Sequence, residues 1–223
     1  MTIIVTGGAS LIGSNFVLDW PVESDKPVIN LDALTSCASY LDKVASLQGS
    51  SPHGVVKGDI GDVDLVAMGL AEHQFRPAVS FAAESRVERS IHGPEDLIQT
   101  SIVGTFCLPE AVRAHRNGLD SEAKDNFRFL HVSNDEVYGS LEAGESAVSK
   151  THRYEPNRPA SGHLARAYHH TDGLPVLTTN SSNNCGSFHF PGKLTPLVIH
   201  DAPALTSPCP STATARKSAI GSK

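Results

Sequence analysis

An α/β domain of the doubly wound kind, a parallel sheet covered by helices on both faces, is what this sequence predicts. Short β-rich apolar runs alternate with longer amphipathic stretches along the 223 residues. Those short runs are nearly continuous in apolar residues, as strands buried on both faces must be. The first of them leads directly into glycines and then into a helical stretch.

Taken in order, residues 2–5 (Thr-Ile-Ile-Val) form the first strand, and residues 12–20 the helix after the glycines. Strands follow at 27–31 and 55–56, a helix at 63–75, and a strand at 78–81. Residues 95–115 make the best helical stretch, with Pro109 inside it, where a proline costs ~3 kcal/mol unless the helix kinks. A strand at 127–132, a helix at 164–171 and a strand at 175–179 complete the pattern, and there are no internal repeats. From residue 203 onward the chain turns to Ser, Thr, Ala and Pro, a composition too poor in apolar periodicity to order itself.

Composition bounds the function. Hydrophobic residues at 39% and charged residues at 19% describe a soluble globular protein with room for one sizeable domain. A net charge of −6 argues against a nucleic-acid partner, which needs a basic face. No apolar run reaches the ~18 residues of a membrane span, and the N-terminus has no basic leader, so a cytoplasmic protein without a membrane partner is expected. Cys37, Cys107, Cys185 and Cys209 are widely spaced and read as reduced bystanders. His169-His170 lacks any metal-ligand spacing, so no metal is expected.

Two motifs carry chemistry. Thr6-Gly7-Gly8-Ala9-Ser10-Leu11-Ile12-Gly13 sits between a strand and a helix, where backbone N–H groups and the helix dipole meet a pyrophosphate. Asp32 follows at the end of the next strand, placed to hold ribose hydroxyls, which makes the domain Rossmann-type. No arginine adjoins Asp32 to receive a 2′-phosphate, which favours NAD over NADP. The second motif, Ser133-Asn134-Asp135-Glu136-Val137-Tyr138-Gly139, sets two carboxylates side by side after an apolar run. Adjacent acids at a strand end point to opposite sides and can act on opposite ends of one substrate.

This second run resembles the Ser-Thr-Asp-Glu-Val-Tyr-Gly signature of dTDP-glucose 4,6-dehydratases, within the extended short-chain dehydrogenase/reductase superfamily. The resemblance is nearly continuous from residue 1 to about 201. It includes Ala83-Glu84-Ser85-Arg86-Val87-Glu88-Arg89-Ser90-Ile91, Ile102-Val103-Gly104-Thr105, Thr179-Asn180-Ser181-Ser182-Asn183-Asn184 and His189-Phe190-Pro191-Gly192-Lys193-Leu194. It implies NAD contacts at Gly7, Ser10, Leu11, Ile12, Gly13, Asp32, Leu34, Thr35, Asp59, Ile60, Phe81, Ala82, Ala83, Ser85 and Thr100. It implies substrate contacts at Ser85, Asn134, Asn180 and Lys193. The implied reaction is a redox-neutral loss of water from a nucleoside-diphosphate-glucose, dTDP-glucose ahead of a UDP-sugar. A hydride leaves C4 as a base takes the O4 proton; Glu136 takes the C5 proton, Asp135 protonates the departing C6 hydroxyl, and the hydride returns to C6. A homodimer formed through helices of the 95–115 type is implied as well.

The chain also departs from that family. Ser10 stands where the middle glycine lets the backbone approach the phosphates, and should weaken dinucleotide binding. Asn134 replaces the threonine that hydrogen-bonds the sugar; an amide still donates and accepts. The family's Tyr-x-x-x-Lys, its O4 base and cofactor anchor, is replaced by the shorter run Pro159-Ala160-Ser161-Gly162-His163-Leu164. Tyr154 and Arg158 copy its spacing, but Pro156 and Pro159 should keep them off a regular helix. Residues 1–185 are thus expected to form the NAD-binding domain, 186–202 only the start of a smaller substrate-binding domain, and 203–223 a disordered tail. Codons can be chosen for Ser207 to Ser222 that read, in another frame, Pro-Leu-Pro-Val-Tyr-Gly-Asp-Gly-Lys-Lys-Ile-Arg-Asp-Trp-Leu. That peptide resembles the family's next segment, so the tail is expected to be off-frame. An impaired dehydratase is the first reading; a non-catalytic NAD-binding or interaction protein is the second. Another epimerase or dehydratase of the superfamily is the third, disfavoured because an epimerase needs no C5 base.

Overall fold

Strand and helix alternate in the computed structural model, which describes residues 2–35, 53–73, 75–83, 95, 98–134, 157–187, 189 and 194–201. Their order is β1 (Ile3–Thr6), α1 (Leu11–Glu23), β2 (Val28–Asp32), β3 (His53–Lys57), α2 (Val63–His73) and β4 (Pro77–Ser80). A π-helical turn (Gln99–Gly104) then runs into α3 (Thr105–Gly118), followed by α4 (Ser121–Asn126), β5 (Arg128–Asn134), α5 (Asn157–Asp172) and β6 (Val176–Ser181). These belong to a unit spanning Met1–Asn184; a second unit, Cys185–Lys223, contains α6 (Leu194–Asp201).

The six strands form one sheet in the order β3-β2-β1-β4-β5-β6, every described pairing parallel. The doubly wound expectation therefore holds, and the strand order reverses between β1 and β4. Alternation along the strands explains the two cores. Ile3, Val5, Val28 and Val79 bury against Val17 of α1 on one face. Ile4, Ala78 and Phe129 bury on the other, with Val66 and Leu70 of α2, Leu108, Ala111 and Val112 of α3, and Tyr168 of α5. Those helical residues recur at three- and four-residue spacing, the apolar stripe that helix-on-sheet packing requires.

Local chemistry sets the ends. Asp120 caps α4 by accepting the Ala123 N–H at 2.8 Å, a short helix that apolar periodicity alone does not reveal. The α5 C-terminus closes with Gly173 at φ +64°, its N–H on His169 O and the Leu174 N–H on Tyr168 O, which turns the chain into β6.

Three expectations need correction. The 95–115 stretch is not α-helical throughout: Gln99–Gly104 form a wider π-helical turn, and α3 begins at Thr105 and runs through the buried Pro109 to Gly118. Helix α5 begins at Asn157 rather than 164 and includes Pro159. That proline falls in the first turn, where an absent N–H has no helical acceptor to lose. Similarly, α1 continues past residue 20 to Glu23 through Pro21. Residues 203–223 lie outside the described residues.

Candidate functional site

The glycine-rich turn is held by a closed set of hydrogen bonds. Gly7 adopts φ +71°, and its N–H donates to Leu31 O at 3.0 Å. A Cβ there would lie 2.6 Å from Ala82 N, so only glycine lets the turn pass against the end of β4. The Gly8 N–H donates to Asn30 Oδ1 at 3.0 Å and the Ala9 N–H to Asp32 Oδ2 at 2.9 Å. Ser10 is the N-cap of α1: its N–H and its hydroxyl both donate to Gly7 O, and its Oγ accepts the Gly13 N–H at 3.3 Å. A Cβ at Gly13 would come 2.3 Å from Gly7 O, which explains how closely helix and turn approach. By position, the amides of Leu11 and Ile12 have no intrahelical acceptor and are the open donors of this helix start.

Asp32 ends β2 half-buried, with Oδ2 on the turn and Oδ1 accepting the Leu34 N–H at 2.8 Å. Leu34 takes φ +58°, a left-handed conformation in which its amide points back at that carboxylate. Thr35 follows, exposed. Asp59, exposed, accepts the Gly61 N–H at 2.7 Å in the turn before α2. The Ile60 side chain is buried in the core and lies beside Gly104, so only its main chain is left to serve a ligand. Phe81 donates its N–H to Thr6 O at 2.8 Å, and its ring meets that of Phe16 in a tilted contact with centroids 5.4 Å apart. Ala82 covers Gly7, and Ala83 is exposed. Thr100 is half-buried in the π-helical turn.

The Gly7–Gly13 turn, Asp32 and Phe81–Ala83 thus meet at the carboxyl ends of β1, β2 and β4. This is the switch point of the sheet, the crevice in which open α/β folds bind ligands.

The β5 side is less convergent. Asn134 ends β5 opposite Ser181, whereas Asn180 of β6 pairs with Ser133. Strand alternation therefore sends the Asn134 and Asn180 side chains to opposite faces of the sheet. Asp135, Glu136, Ser85, Lys193 and Tyr154 lie outside the described residues.

Helix α5 holds one tyrosine, Tyr168, and it cannot take the place of the absent phenol. Its O–H donates to Glu110 Oε2 at 3.1 Å, with Phe106 O at 3.4 Å. Glu110 is also paired through two contacts with Arg113, and Arg113 reaches Asp172 at 3.6 Å. The hydrogen bond from Arg113, then that from Tyr168, hold the Glu110 carboxyl below its ordinary range. Burial first, then Glu110, pushes the Tyr168 phenol up to about 12, the wrong direction for a base. Tyr168 also sits beside the start of β6, at the opposite end of the sheet from the switch point, and the residue four on is Asp172 rather than a lysine.

Sequence reading missed other residues of this region. Asn30 holds the Gly8 amide, a role that its polar side chain within an otherwise apolar strand could have signalled. Thr6, Ser80 and His131 form a polar row across β1, β4 and β5, with Thr6 Oγ1 donating to Ser80 Oγ at 3.1 Å. His131 is 5% exposed, its Nε2 has no hydrogen-bond partner, and burial lowers its pKa to about 4. Among the described residues no cluster of His, Cys, Asp and Glu could hold a metal, and His169 Nδ1 instead meets Leu174 O at 2.9 Å. No described helix is long and apolar enough to cross a membrane.

Comparison with known proteins agrees with this geometry. The family model described as GDP-mannose 4,6 dehydratase matches residues 4–212. The chain is 55% identical over 208 residues to a dTDP-glucose 4,6-dehydratase of Xanthomonas campestris pv. campestris (strain B100), covering 90% of this chain and 58% of that protein. It is 42% identical to dTDP-glucose 4,6-dehydratase 1 of Escherichia coli K12, covering 91% of this chain and 60% of the relative. The crystal structure of a Bacillus anthracis dTDP-glucose 4,6-dehydratase in complex with NAD superposes with a TM-score of 0.76 at 34% identity, covering 92% of this chain and 62% of that one. The chain therefore spans about six-tenths of the length of these relatives.

Proposed function

The chain belongs to the GDP-mannose 4,6 dehydratase family, and on that footing we propose that it carries the NAD-binding half of a dTDP-glucose 4,6-dehydratase whose dehydration chemistry is crippled. The observation that carries the binding part is the switch-point crevice. Glycine at Gly7, Gly8 and Gly13, where a Cβ would strike Ala82, Asn30 and Gly7 O, lets the turn fold tightly into the helix start; the Leu11 and Ile12 amides there have no intrahelical acceptor, and the Asp32 carboxylate stands beside them for ribose hydroxyls. Leu11 and Ile12 would offer amides to the pyrophosphate. Asp32, Leu34, Thr35, Asp59 and Ile60 would surround the adenosine half, and Phe81, Ala82, Ala83, Ser85 and Thr100 would line the rest. Residues 1–185 form this domain and 186–202 begin the substrate part, which is where Lys193 falls.

Bound NAD would supply a hydride acceptor and then a hydride donor, making a net loss of water redox-neutral. Glu136 would take the C5 proton of the glucosyl group and Asp135 would give one to the departing C6 hydroxyl. Asn134 would hydrogen-bond the sugar from the end of β5; Asn180, on the other face of the sheet, would not share that contact. What is lacking is the base at O4. In α5 the family's phenol and ammonium are replaced, and the sole tyrosine of that helix is tied to Glu110 at the far end of the sheet. Loss of a general base alone lowers a rate by roughly 10²–10⁴-fold. The same tether supports the second reading, a protein that binds NAD without turning over.

The test is titration of the purified chain with NAD by calorimetry, and a 4-keto-sugar assay with dTDP-glucose. The expected result is measurable NAD binding with turnover reduced by at least roughly 10²-fold relative to an intact relative. Turnover equal to that relative's would sink the impairment. The proposal extends to a cytoplasmic homodimer formed through the 98–118 segment, supported by Ile98 and Phe106 standing about half exposed on it. Light scattering that returns a monomer mass at micromolar concentration would refute that part.

A further inference from the structure

We propose that the Ser10 hydroxyl sets how tightly the glycine-rich turn holds a dinucleotide pyrophosphate: it captures the Gly13 amide and, its own proton spent on Gly7 O, offers the anion no donor in return. This rests on the dinucleotide reading above and deepens it.

A serine hydroxyl has one proton and two lone pairs. Its proton goes to Gly7 O at 2.6 Å, and since a carbonyl oxygen can only accept, the direction of that bond is settled. One lone pair takes the Gly13 N–H at 3.3 Å. The hydroxyl then has nothing to donate to a phosphate oxygen, itself only an acceptor. To turn its proton outward it must abandon Gly7 O.

The backbone donors are committed in the same way. The Gly8 amide is taken by Asn30, the Ala9 amide by Asp32, the Ser10 amide by Gly7 O and the Ser14 amide by Ser10 O. Ser10 takes the Gly13 amide, which leaves Leu11 and Ile12. A residue without a hydroxyl at position 10 would free the Gly13 amide that Ser10 now holds. Ser10 thus satisfies the turn from within, stabilising the ligand-free form at the expense of affinity. The effect lies in the oxygen atom and not in the bulk of the side chain, which makes it separable.

The experiment compares the full chain with Ser10→Ala, Ser10→Gly and Ser10→Thr. Each is titrated with NAD by calorimetry and melted without ligand. Alanine and glycine should bind NAD roughly 3- to 10-fold more tightly, as expected for one recovered hydrogen bond. Their ligand-free melting temperatures should fall by about 2–4 °C, the loss of a cap in a chain of this length. Threonine keeps the oxygen and should bind as weakly as serine. Equal or weaker binding by the alanine variant, or tighter binding by threonine, would overturn the proposal. If all four proteins are folded by circular dichroism and none binds NAD, the dinucleotide reading itself fails and this one falls with it.

Discussion

Acid should unfold this protein through His131, and the effect can be sized. The imidazole lies on β5 at 5% exposure, its Nε2 unpartnered, and burial lowers its pKa from 6.5 to about 4. In the unfolded chain it takes a proton as pH falls through 6.5; in the folded chain it resists until about 4. Across that window the unfolded state binds more protons, so stability rises with pH. The contribution is fully present above 6.5 and is lost as pH falls through the folded value. From 6.5 to about 4, at 1.36 kcal/mol per pH unit, the loss comes to about 3 kcal/mol. His53, buried on β3 with both ring nitrogens unpartnered and its pKa lowered by burial, acts in the same direction. Urea denaturation of the wild type and of His131→Gln, at several values from pH 7.5 down to 4.5, isolates the His131 share from that of the carboxylates. The stability difference between the two proteins should shift by about 2–3 kcal/mol over this range, the variant being the less acid-sensitive. A difference that does not change with pH would mean that His131 is solvated or paired in solution, and the reasoning would fail.

The other expectations follow from contacts already described. Gly7→Ala should cost about 2 kcal/mol or more, because φ +71° strains an L residue and the new methyl meets backbone at 2.6 Å; a melt within about 1 °C of wild type would contradict it. Tyr168→Phe should lower stability by about 1 kcal/mol through loss of the Glu110 hydrogen bond while leaving NAD affinity unchanged; weakened NAD binding would mean that Tyr168 belongs to the site after all. Asp32→Asn should weaken NAD binding roughly tenfold or more in calorimetry, since a charge-assisted acceptor is lost where the Ala9 and Leu34 amides already converge; unchanged affinity would remove Asp32 from the site.

Much of this was readable in the residues. The sheet was legible because strands buried on both faces must be apolar throughout, and all six expected strands form, with ends displaced by one or two residues. The turn at Gly7 was legible because a strand, glycines and a helix start can be joined in few ways. Helix ends were less so. Pro109, Pro159 and Pro21 each look like breakers locally, yet one follows a π-helical turn, one sits in a first turn and one in a last turn. Those differences depend on which carbonyl each proline leaves unpaired, which composition does not reveal. Helix α4 has one buried residue, Ala123, and is specified by its Asp120 cap rather than by any apolar stripe.

By itself, then, the sequence determined the family, the parallel sheet, and the identities of the groups present and absent: Asp135 and Glu136 present, the Tyr-x-x-x-Lys pair absent. The tertiary structure decided what Tyr168 and Ser10 can do. Tyr168 is a plausible phenol on paper, but the crossover from β5 to β6 carries it to the far end of the sheet and onto Glu110. Ser10 is a single departure from glycine in sequence, and a cap holding two backbone groups in space. The physical reason is the same in both cases. Residue type sets what a side chain can donate or accept, while the partner it actually meets is fixed by backbone path and register, which bring distant positions together.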